Sequence, residues 1–312
     1  MTALTDRNSV AILLCTFNGA QYLRPQIDSI IAQEYQNWVL YVFDDGSTDN
    51  TLTILSEYHR KLGSRKFKIH NGPQKGYAKN FHLACRKTAT LAEYFAFADQ
   101  DDVWIPTKLS EAIVNLQCYQ QNSANLYATR TQLIGDDGRV LGLSKMPKRP
   151  VKFENAILEN VAGGNTMVFN KALAKLFIEI PENTDIISHD WTLYQLVTAT
   201  GGNFVFSKSP SVLYRQHQMN SVGANNNLFA KFSRLLSFFR GNYKNWISVN
   251  CESLSHVLEH FEPSSRETIQ DLIKVRKGDF RERLGCLKKR KVYRQHRLES
   301  LLVYAGIIFR KV

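Results

Sequence analysis

Three short apolar runs, each closed by a polar loop, set the narrowest limits on how this chain can fold. Val10-Ala11-Ile12-Leu13-Leu14-Cys15 leads into Thr16-Phe17-Asn18-Gly19, and Trp38-Val39-Leu40-Tyr41-Val42-Phe43 into Asp44-Asp45-Gly46-Ser47-Thr48-Asp49. Tyr94-Phe95-Ala96-Phe97-Ala98 leads into Asp99-Gln100-Asp101-Asp102. Such runs, bounded by turn residues, read as strands buried on both faces. Helical patterns separate them: 22–33, with Leu23, Ile27, Ile30 and Ile31 on one face, and 51–62. Residues 67–70 add a strand, followed by the loop 71–76 and a helix through Phe81, Leu83 and Ala84. Strands alternating with helices predict βαβ units, an α/β fold with a mostly parallel sheet flanked by helices. The polar clusters then all fall at carboxyl ends of strands, the edge where open α/β sheets bind ligands.

Asp99, Asp101 and Asp102 bring three carboxylates into four residues at the end of a buried strand. A divalent cation would neutralise their repulsion, and hard oxygen ligands suit Mg²⁺ or Mn²⁺. A metal held by so few protein oxygens shares its shell with substrate phosphates. The same residues also fit an acidic loop that starts a helix, with Asp102 near the N-cap and Pro106 in the first turn. Residues 44–49 likewise fit an Asx-turn followed by an N-cap.

From about residue 125 the pattern is more mixed. A strand at 126–133, the turn Asp136-Asp137-Gly138 and a strand from Arg139 predict a hairpin. Gly163-Gly164 enters a strand through Val168 and Phe169, and His189-Asp190-Trp191 opens a helix over 192–200 that Gly201-Gly202 stops. Residues 204–206 and 212–214 read as two short strands before Arg215-Gln216-His217. Beyond Asn225 the chain reads as helical and basic, which divides it into an α/β unit over 1–225 and an extension over 226–312.

Charge follows the same division. Residues 1–230 hold 22 Lys and Arg against 20 Asp and Glu, whereas 231–312 hold 18 against 8. Leu228, Phe232, Leu235 and Phe239 fall at helical spacing, as do Leu298, Leu301, Leu302, Ala305 and Ile308. Basic amphipathic helices bind anionic membrane surfaces or pack on a neighbouring domain. Nucleic acid is a poorer partner, because few aromatics interleave the basic run and no nucleic-acid-binding signature occurs. The five cysteines are scattered and odd in number, as expected of reduced thiols in a cytoplasm. The opening residues do not read as a signal peptide, and no run of eighteen apolar residues forms a membrane span.

The loops at 15–19, 44–49, 71–80 and 99–104, followed by His189-Asp190-Trp191, make residues 8–225 resemble the family 2 glycosyltransferases of GT-A fold. Val103-Trp104 after the acids, and Tyr214-Arg215-Gln216-His217, are most similar to rhamnosyltransferases of bacterial surface-polysaccharide synthesis. The resemblance implies a Rossmann-like sheet and an inverting, metal-dependent transfer. The implied donor is dTDP-β-L-rhamnose, and the implied acceptor a hydroxyl of a surface polysaccharide or lipid-linked glycan.

It also assigns roles by position. Thr16, Phe17, Asn18 and Asp45, with Asp44 beside it, hold the nucleoside. Gly76, Lys79 and Asn80 lie near the donor, where Gly72 and Gly76 permit close backbone approach; the lysine either meets phosphate or belongs to a solvated turn. Asp99-Gln100-Asp101 matches the family's Asp-x-Asp: Asp101 ligates Mg²⁺ or Mn²⁺, and Asp99 contacts the ribose or a metal-bound water. Asp102 holds either the sugar or a neighbouring backbone. Asp190 is the general base or a helix cap. His217 completes the metal shell or binds diphosphate, and Arg215 pairs with phosphate. Gly163 and Gly164 shape the sugar pocket. Gly223 and the asparagines 225–227 form a loop that closes over the donor or a plain linker. The expected location is cytoplasmic, peripheral at the inner face of the cell membrane. A catalytically silent sugar-nucleotide or polyanion-binding protein is the rival reading, and intact Asp101 and Asp190 argue against it. A nucleotidyltransferase would carry a Gly-rich, Lys-containing signature near the first strand, and none is present.

Overall fold

The computed structural model describes residues 8–217, 242–275 and 278–308. Strand β1 (Val10–Thr16) is buried along its whole length because the sheet is covered on both faces. Ala11, Leu13 and Cys15 enter one core, while Val10, Ile12 and Leu14 enter the other, as the two-residue period of a strand requires. Strands β2 (Trp38–Asp44), β3 (Phe67–Asn71) and β4 (Tyr94–Asp99) join β1 through α1 (Leu23–Ile31), α2 (Thr51–Leu62) and α3 (Tyr77–Thr88). They form a parallel block in the order β3-β2-β1-β4. The register pairs Thr16 with Asp44 and Cys15 with Asp99. Three chemically loaded strand ends therefore finish side by side.

Past β4 the sheet becomes mixed. Strand β8 (Val168–Asn170) runs antiparallel to β4, and β6 (Asn125–Ile134) antiparallel to β8. Strand β9 (Asn203–Arg215) lies parallel to β6, and β7 (Val140–Leu143) closes the expected hairpin on β6. Two expectations need correction here. Residues 204–206 and 212–214 belong to one strand, β9, whose pairing jumps from Thr129↔Ser207 to Thr131↔Val212. Pro210 has no N–H to give the ladder, so the strand bulges at that point and continues. Asp102 is not a helix cap: Val103–Trp104 forms a short strand, β5, antiparallel to β9. The next helix, α4 (Lys108–Gln117), starts after Thr107.

Helices α5 (Phe153–Ala156), α6 (Lys171–Glu179) and α7 (His189–Ala199) complete the α/β part. Among the described residues four further helices follow: α8 (Asn242–Ser255), α9 (Pro263–Val275), α10 (Phe280–Arg290) and α11 (Arg297–Ile308). Their buried Ile247, Cys251, Leu254, Leu272, Val303 and Ile307 belong to the same core as Leu13, Phe43 and Phe97. The turn after α10 is fastened to the α/β part by Tyr293 N donating to Glu154 O at 2.9 Å and Gln295 N donating to Glu159 Oε2 at 2.6 Å. The stripe at 228–239 and the loop at 223–227 lie outside the described residues. Among the described residues no helix is long and apolar enough to cross a membrane.

Candidate active site

The loops after β1, β2 and β3 are tied into one shelf. Asp44 is buried, and its carboxylate accepts from Thr16 Oγ1 at 2.8 Å, Ser47 N at 2.8 Å and Ser47 Oγ at 2.6 Å. It is the Asx-turn residue of its own loop. Asp45 reaches sideways and accepts from Gln74 N at 2.6 Å and Gly76 N at 2.9 Å. Gly72 must be glycine for this clamp, since an added Cβ would lie 2.6 Å from Asp45 Oδ1 and 2.8 Å from Asn80 Oδ1. Asn80 donates to Phe43 O at 2.8 Å, which anchors the start of α3 beneath the shelf. Asn18 sits in the left-handed region at φ +47° and receives Thr48 N at 2.8 Å.

Gln100 belongs to this shelf. Its amide accepts from Phe17 N at 2.9 Å and donates to Phe17 O at 3.0 Å, so the loop after β4 holds the loop after β1 by two bonds. The Phe17 ring is left 55 % exposed. Lys79 turns away from the shelf: its ammonium donates to Glu182 O at 3.0 Å and to Thr184 O. That places its charge at the 182–185 segment and not at the Gly76 backbone.

The acids come from strand ends far apart in the chain. Asp101 Oδ2 lies 2.7 Å from His217 Nε2. The His217 ring stacks on Tyr22 at 4.8 Å, and the Tyr22 hydroxyl donates to Asp136 at the hairpin tip. Arg215 donates to Asp101 O at 3.3 Å and Asp136 O at 3.0 Å, with its guanidinium 5.1 Å from the Tyr22 ring centre. Arg215 thus fixes the backbone of the acidic loop.

Asp190 stands in the first turn of α7, where it accepts from Trp191 N at 2.7 Å and Gly164 N at 3.1 Å. Asp99 connects the two halves. Burial, and then the charges of Asp101 and Asp190, push its carboxyl up to about 7. The Tyr77 hydroxyl is raised too, by burial and then by Asp190 and Asp99. Asp99, Asp101, Asp190 and Tyr77 therefore share one electrostatic neighbourhood. His189 underlies it: the ring is buried, stacks on Phe81 at 3.9 Å, and is pushed down to about 4 by that burial. An added Cβ on Gly164 would collide with His189 Nε2 and lie 3.2 Å from Asp190 Cβ, so the glycine is what lets its N–H reach the carboxylate.

Behind the cluster, Asp102, expected to hold the sugar or a neighbouring backbone, is joined by Asn165 and Lys108, which no motif named. Asp102 is fully buried and accepts from Asn165 Nδ2 at 2.6 Å. Lys108, only 1 % exposed, donates to Asn165 O at 2.6 Å and lies 4.4 Å from the Trp104 ring centre. Burial pushes its ammonium down to about 7, while Asp102 and Asp99 pull the other way. Repulsion among the acids is therefore relieved in part by an internal cation, and does not by itself demand a metal. A signal was present: Lys108 occupies the apolar stripe of α4 with Ala112 and Ile113, where a lysine needs a buried partner. Tyr22, Tyr77 and Asp136 had no such signal.

The Asp101 carboxylate is a hard oxygen donor of the kind that holds Mg²⁺ or Mn²⁺, and the His217 imidazole, a borderline nitrogen donor, faces it at 2.7 Å. So few protein ligands leave positions for donor phosphate oxygens.

Residues 11–177 match the family model described as Glycosyl transferase family 2. The chain is 33% identical over 230 residues to dTDP-rhamnosyl transferase RfbG of Shigella flexneri, covering 71% of this chain and 78% of that protein. Among solved structures, TarS 1-349 of S. aureus in complex with UDP superposes with a TM-score of 0.57 at 17% identity, covering 97% of this chain and 89% of that one. The mannosyltransferase PcManGT from Pyrobaculum calidifontis, in complex with GDP-Man and Mn²⁺, gives 0.53 at 14% identity, covering 98% and 86%.

Proposed function

The chain belongs to glycosyl transferase family 2 and is a glycosyltransferase of GT-A fold, and on that premise we propose that it moves L-rhamnose from dTDP-β-L-rhamnose to a hydroxyl of a bacterial surface polysaccharide or lipid-linked glycan, with inversion at the anomeric carbon. The choice of donor is supported by the likeness to dTDP-rhamnosyl transferase RfbG. What carries the chemistry is the place of Asp99 at the end of β4, where burial first and then the charges of Asp101 and Asp190 raise its proton affinity. The acid facing His217 and the acid held by Gly164 N thus act on one group.

Transfer needs one carboxylate at the acceptor and a cradle for the departing nucleotide. Asp190 takes the proton of the acceptor hydroxyl, and the Gly164 and Trp191 N–H groups fix the orientation of its carboxylate. The acceptor oxygen then attacks the anomeric carbon on the face opposite the leaving diphosphate. The exposed Phe17 ring offers the nucleobase an apolar face, and Thr16, Asn18, Asp44 and Asp45 hold the shelf around it. Asp101 and His217 would hold Mg²⁺ or Mn²⁺, which when bound offsets charge on the diphosphate. Support for a divalent metal comes from the Mn²⁺ of PcManGT. The transferase unit spans 1–225, and the extension over 226–312 keeps it at the inner face of the cell membrane, beside its acceptor.

Asp190→Asn keeps the size and one of the two backbone hydrogen bonds, since its Nδ2 cannot accept the other, and it cannot take the proton. It is expected to lose transfer by about 10²–10⁴-fold. The melting shift produced by dTDP-rhamnose with Mn²⁺ should persist. Undiminished transfer by this variant would overturn the assignment of the base, and the absence of a shift with every nucleotide sugar would overturn the donor site.

A further inference from the structure

We infer that the outward face of α11, made of Leu298, Leu301 and Leu302, is the surface that lies in an anionic lipid bilayer. The inference deepens the membrane reading above and rests on it, since it names the face that would make the contact. Helix α11 is apolar on nearly every side. Ser300, Val303, Gly306 and Ile307 are its buried residues, and Val303 and Ile307 enter the common core. At about 100° per residue, positions 298, 301, 302 and 305 point the opposite way. There Leu298 is 65 %, Leu301 60 % and Leu302 37 % exposed. A helix lying on a soluble domain turns polar residues outward, and this one turns leucines.

The charge around that face selects the occupant. Lys288, Lys289 and Lys291 are exposed at the end of α10, and exposed Arg297 directly precedes Leu298. The nearest acid on the helix, Glu299, is already paired with Arg294 at 3.0 Å. Cations beside an apolar stripe complement an anionic leaflet. A second copy of this chain would bring the same positive charge against it and be repelled. Twelve residues make about 18 Å of helix. That is too short to cross a bilayer and suited to lying in its interface.

The test uses the full-length protein and cosedimentation with vesicles of phosphatidylcholine alone or mixed with phosphatidylglycerol. The native protein is expected to bind the mixed vesicles and to be released by salt. The variant Leu298→Ser/Leu301→Ser/Leu302→Ser should lose roughly tenfold or more in partitioning. Its melting temperature and its hydrolysis of soluble donor should stay unchanged. A control, Leu52→Ser/Leu91→Ser, removes exposed leucines elsewhere and should bind like the native protein. If the native protein ignores anionic vesicles, the membrane reading and this face fall together. If it binds and the triple variant binds equally well, the membrane reading stands and the face is wrong. A concentration-dependent dimer that the triple variant abolishes without vesicles would hand the face to a second copy and overturn the inference.

Discussion

Lys108 and Asp102 are the two side chains whose removal separates stability from chemistry. Both are buried, and Asn165 lies between them, receiving the ammonium at its carbonyl and giving its side-chain N–H to the carboxylate. Lys108→Met would leave Asn165 O without its buried donor and remove the positive charge that faces Asp102 and Asp99, and an unsatisfied buried group of this kind costs about 1–3 kcal/mol. Lys108→Met/Asp102→Asn also takes away the acid that the ammonium faces while keeping the volume, and part of the loss should return. Urea denaturation of the two variants checks this, and equal instability of single and double variants would show that the residues do not act as a pair. The same cluster shows how far residue types can be read from sequence. The acids were legible because they follow an apolar run. The apolar stripe of α4 marked Lys108 as a buried lysine but not what it faces, because only the folded chain brings that helix beneath the acids.

The three loops of the shelf act as one element through Asp45, which receives Gln74 N and Gly76 N across a gap of about thirty residues. Asp45→Ala leaves both amides without an acceptor while the buried turn of Asp44 stays intact. Amide exchange at residues 74–76 is expected to quicken by tenfold or more, since exchange tracks local opening. Donor KM should rise with kcat little changed. Unaltered exchange would mean that the loop after β3 is held by its own turn. Strand ends and loop order were legible at this scale, because short buried runs and turn residues carry local signals. Partner choice was not. Asp44 and Gln100, both placed near the donor by motif, have their polar groups engaged by the protein itself, and Lys79 reaches the 182–185 segment.

The described part of the extension is built into the catalytic core. Ile247, Cys251, Leu254, Leu272, Val303 and Ile307 are buried with Leu13 and Phe97 in one cluster. A protein ending at Asn225 would expose the surface those side chains cover, and at roughly 25 cal/mol per Å² of apolar area such a loss exceeds what a domain can spare. It is expected to be insoluble or to lose its cooperative melt. A truncated protein that is soluble and melts cooperatively would show that 1–225 folds alone.

By itself the sequence determined the parallel block, the acids at its carboxyl edge and the family, because these rest on local periodicity and on motifs contiguous in the chain. Tertiary structure alone decided that β5 is a strand and not a helix start, and that Lys108 lies under the acids. It also decided that Tyr22 backs His217 and that α11 buries Val303 and Ile307 while turning three leucines outward. Each of those outcomes depends on which surfaces meet across long separations in the chain, and an apolar or charged residue carries no mark of the partner that will cover it.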